Sequence, residues 1–250
     1  FYQDEALSFR ESRLFGNLEW RPVPDWTING GLFLGHHSWT GGFATPRLMV
    51  NHQLNDNHTL RAGVNRSLRT PSLFELAGDV RYDLNGETVG RTFAATGKVR
   101  PERLTSQELG YFGNLRDLRA TLDVRVFRER MHGFIRSAFY QLPEPLRYTG
   151  TQVEDYVNRT GPAMQGLEYQ WRWSPTPHTE WWLGQAFTRV AWPGGRVGHA
   201  PSRASTLAVF HELPNRLKLG LVLSERRPMS WLGVGVMPRP LRQADLHLSY

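Results

Sequence analysis

Apolar and polar residues alternate along short segments of this chain, and such segments recur from one end to the other. In the clearest one, Leu118 to Val126, one parity is apolar and the other polar; the apolar members are Leu118, Ala120, Leu122, Val124 and Val126. This period of two predicts a β-strand whose two faces meet different surroundings. Its length of about nine residues is what a tilted strand needs to cross the hydrocarbon layer of a membrane.

The connections between these segments are of two kinds. Short ones, rich in Pro, Asn and Asp, are predicted at residues 22–25, 55–58, 114–117, 174–178 and 214–215. Long ones alternate with them, at residues 36–45, 68–104, 132–161, 191–201 and 226–240. The sequence therefore predicts an all-β fold: an antiparallel transmembrane β-barrel segment of about eleven strands, with short periplasmic turns and long extracellular loops. The segments 180–190 and 202–211 alternate poorly, and they are assigned as strands by their spacing.

Tryptophans occur beside two of the predicted short turns. Trp20 and Trp26 flank one turn, and a second group flanks another: Trp171, Trp173, Trp181 and Trp182. Aromatic rings at strand ends are typical of the girdles that membrane barrels place at the membrane–water interface. Ordinary strand packing would also enrich aromatic residues.

Composition rules out membrane-spanning helices. Mean hydropathy is −0.47 and 21% of residues are charged, and no run approaches the roughly 18 apolar residues of a spanning helix. A barrel tolerates this composition because half of its side chains face away from lipid. A soluble all-β protein remains an alternative reading of the pattern. The chain has no cysteine, which excludes disulfides and thiolate metal sites.

The net charge of +7 and the pI near 10.1 predict anionic surroundings or partners. Lipopolysaccharide head groups, outer-membrane lipid or an acidic ligand would meet this expectation. The basic residues are scattered singly and form no run, so no nucleic-acid partner is predicted.

Several short motifs occur in a fixed order along the chain. The first is Arg69-x-Pro71-Ser72-Leu73-x-Glu75; it is followed by Arg100-Pro101-Glu102, then Glu108-Leu109-Gly110-Tyr111, and later by Gly166 and Glu168. In this combination the chain resembles the barrel of TonB-dependent outer-membrane receptors, over essentially its whole length. Barrels of this family have roughly 22 strands. The resemblance therefore implies that residues 1–250 are part of one receptor barrel domain, with the plug domain and the last strands absent from the chain.

The resemblance implies a function in the outer membrane of a Gram-negative cell. Such receptors take up a scarce ligand, most often a ferric siderophore, and are energised by the TonB complex through the plug region. A passive porin-like channel of the same architecture remains an alternative. No catalytic residue or cofactor is predicted, because no nucleophile elbow, metal-binding helix or phosphate loop is present. His36 and His37 point to opposite faces of a strand, so no metal site is predicted there.

Candidate ligand-binding residues are arginines around the longest loop, since guanidinium groups suit carboxylate, catecholate or phosphate. They are Arg69, Arg81, Arg91 and Arg100. A solvated loop that faces lipopolysaccharide would explain them equally well. The motif residues are assigned structural roles: Pro71 and Pro101 end strands, Glu75 and Glu102 belong to the same elements, Glu108 and Glu168 form ion pairs with arginine inside the barrel, and Gly110 and Gly166 relieve crowding there.

Overall fold

The structure, a computed structural model, describes residues 7–193, 200–231, 235–236 and 239–250. Within these residues it contains strands β1 to β17 and one helix, α1. In chain order they are β1 Glu11–Trp20, β2 Trp26–His37, β3 Gly41–Asn55, β4 His58–Arg69, α1 Leu73–Ala77, β5 Asp79–Leu84, β6 Glu87–Ala94, β7 Glu102–Leu115, β8 Ala120–His132, β9 Phe134–Leu146, β10 Gly150–Arg159, β11 Ala163–Thr176, β12 Thr179–Ala191, β13 Arg203–Glu212, β14 Lys218–Arg226, β15 Ser230–Trp231, β16 Gly235–Val236 and β17 Leu241–Ser249.

Eleven strands form one antiparallel main sheet, which confirms the predicted fold class. Their order is β1-β2-β3-β4-β7-β8-β11-β12-β13-β14-β17. The two segments assigned by spacing are strands β12 and β13, paired from Thr179 with His211 to Phe187 with Arg203. In the described part of the chain β17 does not pair with β1, so the sheet is an open wall. No helix among the described residues is long and apolar enough to span a membrane.

The register of the main sheet joins the apolar parities of neighbouring strands into one continuous apolar face. Val126 lies opposite Leu109 of β7 and Leu167 of β11. The same row continues through Ala62 on one side and Phe187 on the other. A slip by one residue would move a strand's apolar side chains to the polar face, so the alternation specifies this register. The opposite face is polar, and charged residues of β4, β7, β8 and β11 lie in its centre.

The connections at one end of the main sheet are short, as predicted, although their bounds differ from the predicted ones by up to three residues. The turn between β7 and β8 comprises residues 116–119 and includes the 3-10 turn Arg116–Leu118. Arg119 has φ +50°. Leu118 therefore belongs to the turn, and the strand predicted from Leu118 begins at Ala120. Alternation extends beyond the strand here because Leu118 happens to match its parity.

At the other end the connections differ from the predicted loops in two ways. The connection predicted at residues 36–45 is mostly strand, because β2 continues to His37 and β3 begins at Gly41. The two longest connections, between β4 and β7 and between β8 and β11, contain α1 and a second sheet. This loop sheet has the order β5-β6-β10-β9. Most of the buried hydrophobic residues lie in these connections: Leu76, Ala77, Phe93, Ala94, Ala95, Val99, Ile135 and Val153.

Candidate functional site

The first sequence motif builds a helix start where β4 leaves the main sheet. Ser72 is the N-cap of α1, and its hydroxyl accepts a hydrogen bond from the Glu75 amide at 3.2 Å. The Glu75 carboxylate accepts in return from the Ser72 amide at 2.7 Å. This reciprocal arrangement is a capping box, which satisfies two amides that a helix start would leave without partners. Pro71, which is buried, precedes it.

Arg69 connects this helix start to the beginning of β7. Two of its guanidinium nitrogens donate to the two oxygens of Glu75, each at 3.0 Å. Its Nε donates to Glu102 at 2.6 Å, and the other oxygen of Glu102 accepts from the Ile135 amide at 2.7 Å. The ends of β4, α1, β7 and β9 are thereby linked through three side chains. We call Arg69, Glu75 and Glu102 the arginine clamp.

The clamp shifts the pKa of Glu75. Partial burial raises the pKa of this carboxyl. The hydrogen bonds from Arg69 and from the Ser72 amide lower it by more than burial raises it, so the pKa lies below its usual range. Glu75 is therefore held ionised as the partner of Arg69. A charged pair with defined geometry at this point fixes the direction in which the long connection leaves the sheet.

The predicted ligand-binding arginines have different surroundings. Arg69 belongs to the clamp. Arg91 donates to the buried Asp79 at 2.9 Å, and Arg81 lies 3.7 Å from Asp79 and 3.3 Å from Asp83. The Arg100 side chain is exposed and forms no ion pair with the described residues, while its amide donates to Asn158 at 2.7 Å. Among the four, Arg81 and Arg91 share a partner, Asp79, whereas Arg69 and Arg100 have separate neighbours.

The polar face of the main sheet carries charge pairs in its centre. Arg125 of β8 contacts Glu108 of β7 at 2.7 Å and Glu168 of β11 at 3.2 Å. Arg61 of β4 reaches across β7 to contact Asp123 of β8 at 2.6 Å. Glu108 and Glu168 thus have an arginine partner on an adjacent strand, whereas the partner of Asp123 lies two strands away. Alternating parity in the sequence places Arg61 and Asp123 on this face, but it does not say which residues pair.

Gly110 and Gly166 lie on the same polar face, where larger residues crowd it. A Cβ atom at Gly110 would lie 2.3 Å from the Arg61 side chain. At Gly166 it would lie 2.5 Å from the carbonyl oxygen of Phe187 and 2.7 Å from the Phe127 ring. Backbone cannot move aside as a side chain can, so the requirement for glycine is stricter at Gly166.

Three residues that hold the connections were not singled out in the sequence. The buried carboxylate of Asp155 accepts from the amide and the hydroxyl of Thr96, at 3.2 and 2.6 Å. Asn158 joins the carbonyl oxygens of Arg100 and Gly133 through its side-chain amide. Asp79, which is 3% exposed, accepts from Arg91. Their partners are distant in sequence, and burial of a carboxylate in a connection leaves no periodic signal.

The tryptophans beside the short turns divide between the two faces. Trp173 and Trp181 lie directly opposite each other on the apolar face, and Trp171 stacks on Trp173 with ring centroids 5.7 Å apart. Trp20 and Trp26 also lie on the apolar face, by their registers with Ile28 and His52. Trp182 was wrongly assigned to this girdle. It lies on the polar face opposite Arg172, whose guanidinium carbon is 4.2 Å from its ring.

This two-faced antiparallel wall, with short turns at one end and structured connections at the other, defines a segment of a membrane β-barrel. The family model described as TonB dependent receptor-like, beta-barrel, matches residues 2–230. The chain therefore belongs to the TonB-dependent receptor β-barrel family, whose members are transport receptors of the outer membrane. No curated protein matches the sequence.

Solved structures share this fold at low sequence identity. The ferric enterobactin receptor PfeA, solved with BCV-L6, has a TM-score of 0.78 and 17% identity, over 97% of this chain and 38% of that one. The siderophore receptor PirA from Acinetobacter baumannii has a TM-score of 0.72 and 17% identity, over 96% and 38%. The copper transporter OprC has a TM-score of 0.67 and 16% identity, over 95% and 39%. This chain spans somewhat more than a third of the length of these structures.

Proposed function

We propose that this chain is part of the barrel domain of an outer-membrane receptor that imports a ferric siderophore with energy supplied through TonB. The observation that carries the proposal is the continuous apolar face of the main sheet in a chain of this receptor family. A wall of this kind separates lipid on one side from an interior lined by charge on the other. The short turns then face the periplasm of a Gram-negative cell and the structured connections face outward.

The ligand class is drawn from the solved structures. Several of them are ferric enterobactin receptors, and two of these are in complex with enterobactin. Enterobactin is anionic when it carries iron, and exposed guanidinium groups at the outer end of a barrel suit such a ligand. Arg100, with no ion-pair partner among the described residues, and the half-exposed Arg69 and Arg81 are the proposed contributors from this chain.

Growth and uptake assays test the proposal. A deletion strain complemented with the full-length protein is supplied with radioactive iron as the ferric catecholate, and uptake is measured in cells with and without a functional TonB complex. We expect uptake that requires both the protein and TonB. Uptake that continues without TonB and rises linearly with ligand concentration would favour the porin-like alternative. Recovery of the protein in the soluble fraction without detergent would contradict the membrane location.

A matched pair of variants tests the loop assignment. Arg100→Gln removes the free guanidinium, while Lys98→Gln removes an exposed cation two residues away in the same connection. We expect Arg100→Gln to raise the half-saturating ligand concentration about tenfold or more, the effect of one lost hydrogen bond between charged groups, and Lys98→Gln to change it less than twofold. Equal effects would mean that only the overall charge of the loop matters.

A further inference from the structure

The apolar face of the main sheet changes character towards the end with the long connections. Two residues beyond the apolar row of Leu109, Val126, Leu167 and Phe187, the same face carries a row of glutamines and arginines. It runs from Gln107 through Arg128 and Gln165 to Arg189. The next residues on this face, one pair further along the strands, include Arg66 and Arg130, both opposite Thr105. Arg103 follows on β7, opposite Leu68.

We call Arg66, Arg103, Arg128, Arg130 and Arg189 the arginine belt. All five side chains are exposed. None of them contacts a carboxylate within 4 Å in the described part of the chain. Each one lies opposite an uncharged residue or His132, so no two arginines stand directly across a strand boundary, where like charges would be destabilising.

The same face of the sheet provides a contrast at its far strands. Arg203 of β13 and Arg242 of β17 both contact Glu225 of β14, at 3.0 and 2.8 Å. There the chain supplies its own anion for the exposed guanidinium groups. The arginine belt has no such internal partner among the described residues, although five cations on neighbouring strands repel one another. An anion from outside the chain could therefore pair with the guanidinium groups of the arginine belt.

The surroundings of the belt indicate that this anion is attached to an apolar molecule. The row directly below it is strongly exposed: Leu109 is 65% and Val126 52% accessible. An open depression of about 860 Å³ is lined by this row together with Arg128 and Arg189. A free anion would use the guanidinium groups and leave this apolar surface in contact with water. A lipid with an anionic head group would pair with the guanidinium groups through its head group and cover the apolar surface with its acyl chains.

We propose that the arginine belt binds the phosphorylated head groups of the outer-leaflet lipid, with acyl chains lying on the apolar row below. One guanidinium group can bind two oxygens of a phosphate through two parallel hydrogen bonds. Arg128 and Arg189 stand on strands two apart, roughly 10 Å between backbones, so their long side chains can converge on one phosphate. The glutamines between them are placed to donate further hydrogen bonds. The inference rests on the outer-membrane location proposed above and is independent of the imported ligand.

Lipid binding to the purified full-length protein tests this site. The protein in non-ionic detergent is titrated with bisphosphorylated lipid A and with the same lipid after removal of both phosphates, and bound lipid is counted by native mass spectrometry. We expect at least tenfold weaker binding of the dephosphorylated lipid. The double variant Arg128→Gln/Arg189→Gln should weaken binding of the phosphorylated lipid at least tenfold. Arg128→Lys/Arg189→Lys, which keeps the charge, should recover part of the loss.

The control pair is Arg203→Gln/Arg242→Gln, which removes two arginines from the same face where both already pair with Glu225. It should change binding less than twofold. Equal affinity for both lipids, or equal losses in the two double variants, would overturn the proposal. Should the belt variant fail to fold, the two-lipid comparison on the unmodified protein still decides. Ferric siderophore uptake is measured separately, so a negative result there does not bear on the belt.

Discussion

The main sheet and the loop sheet obtain their order in opposite ways. The main sheet has no dry interior of its own: Leu109, Leu246 and Leu248 on its apolar face are 65 to 79% exposed in the isolated chain. The loop sheet is small, but with α1 it surrounds a packed centre of Leu76, Val99 and Ile135 with Tyr156 against it. Surroundings supplied by lipid and lumen stabilise the first, whereas contacts within the chain stabilise the second.

This difference explains where charge is placed. On the main sheet, ion pairs such as Arg125 with Glu108 and Glu168, or Arg203 with Glu225, join adjacent strands. In the connections, the arginine clamp and the Asp79 and Asp155 contacts join residues far apart in the sequence. Ion pairs on the wall therefore follow the pairing of neighbouring strands. Charge in the connections determines their path, and changes to the two groups should have different consequences.

The largest expected effect comes from placing a charge on the apolar face. Leu122 lies on that face between Gly113 and Trp171. Leu122→Arg should destabilise the folded barrel by about 2–4 kcal/mol in a bilayer, because the guanidinium would face hydrocarbon. The free energy of unfolding from lipid vesicles, measured by urea titration with tryptophan fluorescence, checks this value.

Gln170→Arg is the matched control for Leu122→Arg. Gln170 is exposed on the polar face opposite Asp123, and its other neighbour is Gly184, where a Cβ would have open space. Thr121, which also lies on the polar face, is a less suitable control because an arginine introduced there would lie opposite Arg172 and be repelled by it. Gln170→Arg should cost less than about 0.5 kcal/mol, the range of ordinary surface substitutions. Similar losses in both variants would show that the two faces are not chemically distinct.

Breaking the arginine clamp should affect the connections and spare the wall. Arg69→Gln leaves Glu102, which is 7% exposed, without its charged partner. We expect the connections to lose about 1–3 kcal/mol of local stability, the cost of leaving a buried polar group without its partner. Hydrogen exchange measured on peptides covering residues 72–79 and 133–140 should then become faster, since the Ser72 and Ile135 amides donate to the carboxylates of Glu75 and Glu102, which Arg69 no longer holds in place.

Arg100→Gln serves as the control for the clamp, since the Arg100 side chain has no ion pair in the described part of the chain. Exchange in the same peptides should stay within about twofold of the unmodified protein, in keeping with the small effect of surface substitutions. Faster exchange that extends into β7 and β8 with Arg69→Gln would mean that the wall depends on the clamp as well. The proposed independence of the two regions would then be wrong.

The same contrast explains how far the sequence could predict the structure. Alternation with period two identified the strands of the main sheet and their apolar parity, because each face of a barrel strand meets one kind of surroundings. It failed at Leu118, whose parity continues the pattern into a turn, and at Trp182, whose size and position suggested the girdle although its parity is polar. Local parity was the better guide in the second case.

The connections were beyond this kind of prediction. Residues 68–104 and 132–161 were expected to be loops, yet they contain the loop sheet, where β10 pairs with β9 and bridges to β6. Their order depends on partners such as Thr96 and Asp155, or Arg69 and Glu102, which no local period relates. The motif residues could be singled out through the family resemblance, but their joint role in the clamp is a property of three dimensions.

A smaller effect is expected from the cap of α1. Ser72→Ala removes the hydroxyl that accepts from the Glu75 amide. Loss of an N-cap side chain costs about 1 kcal/mol, and Glu75 can still pair with Arg69. Exchange at residues 72–79 should therefore increase less than in Arg69→Gln, while residues 133–140 remain protected. Ser67→Ala, an exposed serine on β4 with no side-chain hydrogen bond in the described structure, is the control.

The smallest effect is a dependence on pH. The pKa of Glu75 is lowered in the folded protein from its usual 4.5. Its contribution is therefore fully present above that value and is lost as the pH falls through the lowered pKa. The difference in stability between the unmodified protein and Glu75→Gln should be constant near neutral pH and shrink in acid.

Because the chain has no cysteine, a fluorophore on Lys98→Cys can report urea-induced opening of the connections at each pH. Glu87→Gln, at an exposed residue without an ion pair in the described part of the chain, is the control and should change the stability by less than about 0.5 kcal/mol. A Glu75→Gln difference that persists unchanged in acid would show that the carboxylate stabilises the connections by its shape and not by its charge.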